Sequence, residues 1–349
     1  MRRAWKRTTR GRKNASNRAR FAFNQEERLY DLMDRLNDGR FEPSPLRTKE
    51  IYYPKSRVAQ VPSLEDKIVQ HAICDNHVYN MLTKPCIRET AACMIGRGDR
   101  YASEILAEQL RRFWRKYHKS PVVLKCDIHN YFASIPHGRI KELVERYVSD
   151  ETAREIMYKF IDMTEIGLPL GMQQSQLLAN LYLSEMDHKI KERLGAEFYG
   201  RYMDDFYILS DDREYLEDCI GWIREYVGGI GLELNPKTGI HYGKIDFLGF
   251  AYHLTDTGKV VKRLLKSKRK TERNLLRKKV GQLAAGEITA DAMAKSYESW
   301  RAHALQGDTH AFVKATDVWL NALLAPHGWQ LIVTGKHNRR IKITKCQEH

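Results

Sequence analysis

The sequence predicts an α+β fold, and three observations predict it. A buried-type apolar run, PVVLKCDI at residues 121–128, precedes two stretches with helical amphipathic spacing. FYGRYMDDFYILS at 198–210 reads as two short strands with two aspartates where a tight turn should fall. A further helical stretch and more strand-like residues follow. The order strand, helix, helix, hairpin, helix, strand is the split βαβ, ferredoxin-like pattern, a four-stranded antiparallel sheet packed on helices. In that pattern the end of the first strand lies beside the turn of the central hairpin. Asp127 should then face Asp204 and Asp205, although 77 residues separate Asp127 from Asp204.

Each element has its own local reason. The first twenty residues carry nine Lys or Arg and no acid. They have neither the apolar stretch of a secretory leader nor an amphipathic pattern, and read as a basic arm. FNQEERLYDLMDRLNDG has apolar residues at helical spacing and stops at Gly39. Residues 41–63 alternate but are broken by prolines, which suits a ribbon. LEDKIVQHAICDNHVYNML (64–82) and YASEILAEQLRRFWRKY (101–117) predict helices, as do HGRIKELVERYV and REIMYKFIDM after the 121–128 strand. Beyond the Gly- and Pro-containing loop EIGLPLGMQQ, the segment SQLLANLYLSEMDHKIKERL (175–194) predicts one longer helix; if the loop only opens that helix, Ser175 is its cap and nothing more. DREYLEDCIGWIREYVGGIG is helical, and LELN and IDFLGFAYHL read as strands. From about residue 262 the chain turns basic and helical, and IVTGKHNRRIKITK predicts a strand pair or tail.

Charge narrows the function. The 349 residues hold 59 Lys or Arg against 44 Asp or Glu, a net charge of +15. The excess is concentrated: besides the first twenty residues, KRLLKSKRKTERNLLRKK at 262–279 has ten basic residues against the single Glu272. Two such blocks favour a surface that tracks a polyanionic backbone over scattered solubilising charge. No stretch approaches the roughly eighteen apolar residues of a membrane span, so no membrane partner is expected. Six scattered cysteines without a CxxC favour a reducing, cytoplasmic compartment and no structural zinc.

The paired aspartates carry the chemistry. Like charges side by side at a hairpin tip repel, and a bound cation removes that repulsion. Asp127, Asp204 and Asp205, with the main-chain carbonyl of Ile128, form a candidate set for two Mg²⁺ ions, with Mn²⁺ as a substitute. Mg²⁺ is held by one or two carboxylates together with substrate phosphates and water. Two ions about 4 Å apart serve in-line phosphoryl displacement. A plain solvated turn is the competing reading, since adjacent aspartates are common in turns.

In this company the sequence resembles the reverse transcriptases, in order from about residue 45 to about residue 305. YMDD at 202–205 resembles the YxDD box, and KCDIHNYFASI the first palm motif with Asp127 as metal ligand. The resemblance makes Phe132 the aromatic gate against a 2′-OH, so that dNTPs are selected over NTPs. IYYPKSRVAQVPSLEDKIVQHAI resembles the fingers motif, in which Lys55 and Arg57 would neutralise the triphosphate. LGMQQSQLLANLYL resembles the segment that packs on the template and nascent base pair, with Gly171, Ser175, Gln176 and Asn180. LELNPKT resembles a later palm motif, with Lys237 as a candidate acid for the leaving pyrophosphate. FLGF at 247–250 resembles the primer-grip hairpin and KSYESWRAHAL the thumb.

The resemblance implies a right-hand polymerase with a helical thumb and a ferredoxin-like antiparallel palm. Residues 1–20 would be the basic arm, 21–115 with 139–170 the fingers and 116–255, interrupted by 139–170, the palm. Residues 256–325 would be the thumb and 326–349 a basic C-terminal tail. It implies an RNA-directed DNA polymerase acting on dNTPs, an RNA template and the nascent DNA duplex. The string LGMQQSQ is most similar to diversity-generating retroelement enzymes, which implies error-prone copying at template adenines, Gln176 in loose base selection, and a small basic accessory protein. Defence or abortive-infection, retron and group II intron-like systems are the alternatives within the family. A non-catalytic RNA-binding protein on the same palm is the alternative of another class.

Overall fold

The protein is described as a computed structural model over residues 1–10, 16–51, 57–335 and 340–346. The chain divides into two compact units: Met1–Ile105 with Val122–Ile240, and Leu106–Pro121 with His241–His349.

The first unit opens with α1 (Arg2–Thr9), α2 (Ser16–Phe23) and α3 (Gln25–Asn37). The N-terminal segment therefore departs from the expectation that it lacks an amphipathic pattern. Ala4, Trp5, Thr8 and Thr9 are buried on one side of α1, and Trp5 stacks on Phe21 at 4.6 Å. One Trp and one Ala among many basic residues make a weak apolar signal, but a buried Trp contributes a large apolar area. An antiparallel ribbon of β1 (Arg47–Ile51) and β2 (Arg57–Val61) follows. Next comes α4 (Leu64–Ile73), started by a reciprocal capping box between Ser63 and Asp66.

The predicted single helix over 64–82 is interrupted by a π turn, Cys74–Val78, before α5 (Tyr79–Thr83). Within that turn the Asn76 side chain donates to the Ala72 carbonyl at 2.9 Å, competing with the regular helical ladder. The unit boundary falls inside α6 (Asp99–Tyr117).

Then come β3 (Val122–Cys126), α7 (Tyr131–Ser134), α8 (His137–Tyr147) and α9 (Glu151–Ile161). The helix expected over 175–194 is two, α10 (Gln173–Tyr182) and α11 (Ser184–Glu192), parted at Leu183. Met172, not Ser175, is the N-cap of α10. β4 (Phe198–Tyr202), β5 (Asp205–Ser210), α12 (Arg213–Gly229) and β6 (Gly239–Tyr242) complete the series.

The sheet order is β4-β5-β3-β6, the ferredoxin-like order, with β3–β5 and β4–β5 antiparallel. LELN does not supply the fourth strand. It makes one antiparallel bridge, Leu234 to Ile128, and the Pro236 that follows Asn235 has no N–H with which to extend a ladder. Gly239–Tyr242 takes that place. The inner positions of the sheet (Leu124, Cys126, Phe206, Ile208) and of α10 and α12 form one continuous apolar core.

The second unit holds a meander of β7 (Lys244–Phe247), β8 (Phe250–Leu254) and β9 (Val260–Leu264), then α13 (Lys266–Ala284), α14 (Ala290–Ala304) and α15 (His310–Leu324). The C-terminal strand pair is present as β10 (Trp329–Thr334) and β11 (Arg340–Lys345). Ile341 and Ile343 of β11 enter the same core as Leu276, Met293, Tyr297 and Leu320. Among the described residues, no helix is long and apolar enough to cross a membrane.

Candidate active site

The site is built by strand register. β3 and β5 pair from Val122 opposite Ser210 to Cys126 opposite Phe206, and one step further sets Asp127 opposite Asp205. Between β4 and β5 Tyr202 pairs with Asp205, so Met203 and Asp204 are the two turn residues. Met203 has a φ of 61°, an uncommon backbone for a bulky residue.

The two half-buried carboxylates, Asp127 and Asp204, feel one another. Burial, and then the Asp127 charge, raise the Asp204 carboxyl above its usual range, while Lys125 and Arg201 pull it down. Asp205 is answered differently, by an ion pair with Lys125, two residues before Asp127 and on the same face of β3. Among the described residues, no three carboxylate, imidazole or thiol groups converge on one point. The donor set as it stands is two carboxylates that oppose each other's ionisation, which suits a hard divalent cation that also takes oxygen from substrate and water.

The backbone beyond β3 is tied down from the other edge. His129 N–H donates to the Glu233 carbonyl and Asn235 N–H to the Asp127 carbonyl, both at 2.8 Å. This bracketing around the Ile128–Leu234 bridge turns the carbonyl of Ile128 itself to the opposite edge, the side of β5. Thr238 Oγ1 lies 3.3 Å from the Asp127 amide. Lys237, its exposed neighbour, donates its own N–H to Asn235 Oδ1 at 3.1 Å. The structure therefore brings Asp127, Ile128, Asp204, Asp205 and the Lys237 loop to one end of the sheet.

The other sequence candidates sit on separate elements. Phe132 lies on α7, half-buried against the core, and its carbonyl accepts from the Leu168 amide at 2.6 Å. Gly167 makes that approach feasible: a Cβ there would stand 2.6 Å from the carbonyl oxygens of Phe132 and Ala133. Gly171, at φ +90°, precedes α10. Ser175 is buried in the first turns of α10, and Gln176 borders a cavity of ≈ 220 Å³ shared with Arg7, Tyr79 and Gln173. Arg57 begins β2, and Lys55 lies outside the described residues.

Sequence reasoning missed Arg201. This residue of β4 and Asp187 of α11 form an ion pair at 2.6 Å with both side chains wholly buried. The guanidinium also donates to the Met203 carbonyl at 2.9 Å, inside the turn that carries Asp204. The only sequence signal is an arginine where a buried strand should be apolar.

In the second unit, α13 sorts its charge. Arg269 and Arg273 lie over the Phe312 ring, and Arg273 and Arg277 over Trp319, at 4.7–5.7 Å. Lys266, Lys268, Lys270 and Lys278 stay exposed.

Residues 49–252 match the family model described as "Reverse transcriptase (RNA-dependent DNA polymerase)". Protein YkfC of Escherichia coli K12 is 29% identical over 185 residues, covering 47% of this chain and 46% of YkfC. Group II intron-encoded protein LtrA of Lactococcus lactis is 25% identical over 175 residues, covering 46% of this chain and 28% of LtrA. The matches thus span less than half the length of these curated relatives. Among solved structures, a truncated apo telomerase from Candida tropicalis aligns at a TM-score of 0.49 and 15% identity, over 68% of this chain and 60% of that one.

Proposed function

The chain belongs to the reverse transcriptase family, with the α+β fold of right-hand polymerases, and from that premise we propose that it is an RNA-directed DNA polymerase. The observation that supports this most is the convergence of Asp127 with the Asp204–Asp205 turn at one sheet end, inside the family match. In the proposed reaction a primer 3′-oxygen attacks the α-phosphorus of a dNTP in line, and pyrophosphate leaves. Asp127, Asp204 and the Ile128 carbonyl would hold Mg²⁺ or Mn²⁺, with Asp205 joining on release from Lys125. Such ions activate the attacking oxygen and neutralise charge on the phosphates. In this reading Lys237 would give a proton to the leaving group, Phe132 would reject a 2′-OH, and Lys55 and Arg57 would bind the triphosphate. Gly171, Ser175 and Gln176 would pack on the template and nascent pair.

The fingers would be 21–115 with 139–170, the palm 116–255 around them, and the thumb 256–325, flanked by the basic arm and tail. Catalysis is then positioning plus electrostatics. The exposed lysines of α13 would track duplex phosphates, so that binding weakens steeply with salt. The GMQQSQ segment supports a diversity-generating subgroup with error-prone copying, a small basic accessory protein and a cytoplasmic setting. The LtrA match favours a group II intron-like system as the second reading.

The test is dNTP incorporation on poly(rA)/oligo(dT) with Mg²⁺ or Mn²⁺, comparing wild type with Asp204→Ala. The expected loss is about 10³-fold, the scale of removing a principal electrostatic contact. Equal incorporation by the two proteins would refute the assignment of Asp204, and none by wild type would refute polymerase activity by the chain without a partner.

A further inference from the structure

We propose that Arg201, braced by Asp187, is a positioning residue that fixes the Met203–Asp204 turn so that Asp204 faces Asp127. The inference rests on reading that turn as the catalytic one. Three observations carry it.

The first is the burial of the pair. Both side chains are wholly removed from solvent. Burying two charges is expensive, and apolar residues of similar volume often serve stability as well or better. A pair kept in the core asks for a role other than holding the core together.

The second is how completely the pair is braced. Arg201 Nε and Nη2 donate to the two oxygens of Asp187 at 2.7 and 2.6 Å. Asp187 accepts in addition from Tyr199 Oη at 2.5 Å and Thr90 Oγ1 at 2.8 Å. Nη2 reaches the Asn180 carbonyl at 3.2 Å and Nη1 the Asn180 side chain at 3.4 Å. The backbone is held as well: Arg201 N–H donates to the Glu89 carbonyl and Ala91 N–H to the Arg201 carbonyl. These contacts fix the guanidinium in one geometry, and its bond from Nη1 to the Met203 carbonyl at 2.9 Å ties the turn to that geometry.

The third is the turn itself. Met203 is in the left-handed region at φ 61°. L-residues other than Gly adopt it at a conformational cost, which a favoured turn type or the surroundings must offset. The Arg201 bond to the carbonyl of that same residue is such an offset. Lysine could not replace it, because a single ammonium lacks the planar fork that serves Asp187 and Met203 together.

The experiment compares wild type, Arg201→Lys and the double variant Arg201→Met/Asp187→Asn. The double variant removes both buried charges, while the amide at position 187 can still accept from one of the Tyr199 and Thr90 hydroxyls and donate to the other. Three quantities are read: thermal midpoint, Mn²⁺ affinity from the free-ion paramagnetic resonance signal, and kcat and KM for dTTP on poly(rA)/oligo(dT). Arg201→Lys should lose roughly 10- to 100-fold in both Mn²⁺ affinity and kcat, the scale of disturbing a group that orients a metal ligand, with KM little changed. The double variant should melt near wild type and still show both losses. If the double variant recovers Mn²⁺ affinity and kcat together with stability, the pair is only structural and the proposal falls. A double variant that does not fold also counts against it, because the pair would then be needed for the fold. Failure of the polymerase reading looks different: wild type itself would neither incorporate dTTP nor bind Mn²⁺ in an Asp204-dependent way.

Discussion

The β4–β5 and β7–β8 hairpins both turn on two residues, Met203–Asp204 and Leu248–Gly249. Both put a bulky apolar residue first at positive φ, 61° for Met203 and 49° for Leu248. They part at the second position. In the second unit Gly249 continues at φ 85°, the both-positive pattern of the favoured two-residue hairpin turn, which glycine adopts without a steric penalty. In the first unit that position is Asp204, because a carboxylate is wanted there. Only Met203 is left-handed in this turn, Asp204 having no positive φ, and a buried arginine holds the Met203 carbonyl from within. A turn that only reverses the chain can be made by local chemistry. A turn that must present a functional group is held by tertiary contacts instead.

The comparison can be broken where local chemistry is said to suffice. Gly249→Ala should destabilise the second unit by about 1–2 kcal/mol, the left-handed penalty of a residue with a Cβ. That Cβ would also stand 3.5 Å from His303 Nε2, an ordinary contact, so the penalty is conformational rather than steric. Urea midpoints measure it. A null effect would mean that the second turn, too, is held by its surroundings.

Buried charge is handled in two ways in this protein. Arg201 and Asp187 are compensated, whereas Glu272 of α13 is buried with its Oε1 lacking a hydrogen-bond partner among the described residues. Burial pushes its carboxyl up to about 7, against a smaller opposing effect of Lys279. Behind it stand Tyr297 and the Arg301–Asp317 pair. Because the folded state holds this proton more tightly than the unfolded chain, the contribution is fully present below about 4.5 and is lost as pH rises through about 7. After allowance for solvent screening the change should be about 1 kcal/mol. Glu272→Gln should flatten the slope of urea midpoint against pH over that window. An unchanged slope would show that Glu272 is ionised in both states.

Much of this was legible in sequence because it is local. The period-2 runs on either side of Met203–Asp204 fixed the hairpin, and the element order led to the antiparallel sheet with Asp127 at the end of β3. What was not legible depends on contacts distant in sequence. Arg201 and Asp187 are fourteen residues apart on a strand and a helix, and no spacing rule links them. In α1 the buried Trp5 was outvoted by its basic neighbours. LELN alternates like a strand, yet Pro236 and the Asn235 turn leave it a single bridge. The π turn at Cys74–Val78 is local but leaves no mark in the apolar spacing; the Asn76 side chain donates within it to the Ala72 carbonyl.

The smallest effect gives the finest test of the difference between the turns. Leu248→Asn would create the Asn-Gly pair that two-residue hairpins favour, because asparagine tolerates the left-handed region better than leucine. Against that gain stands the apolar contact of Leu248, which is only half-buried. The two effects are of similar size, and the net change should stay within about 1 kcal/mol of zero. A urea midpoint near wild type, or slightly above it, means that backbone preference sets this turn. A loss well beyond that range would mean that the Leu248 side chain anchors the turn by packing. The second turn would then also be held by tertiary contacts, and the need to present Asp204 would no longer explain why the first turn is built around Arg201.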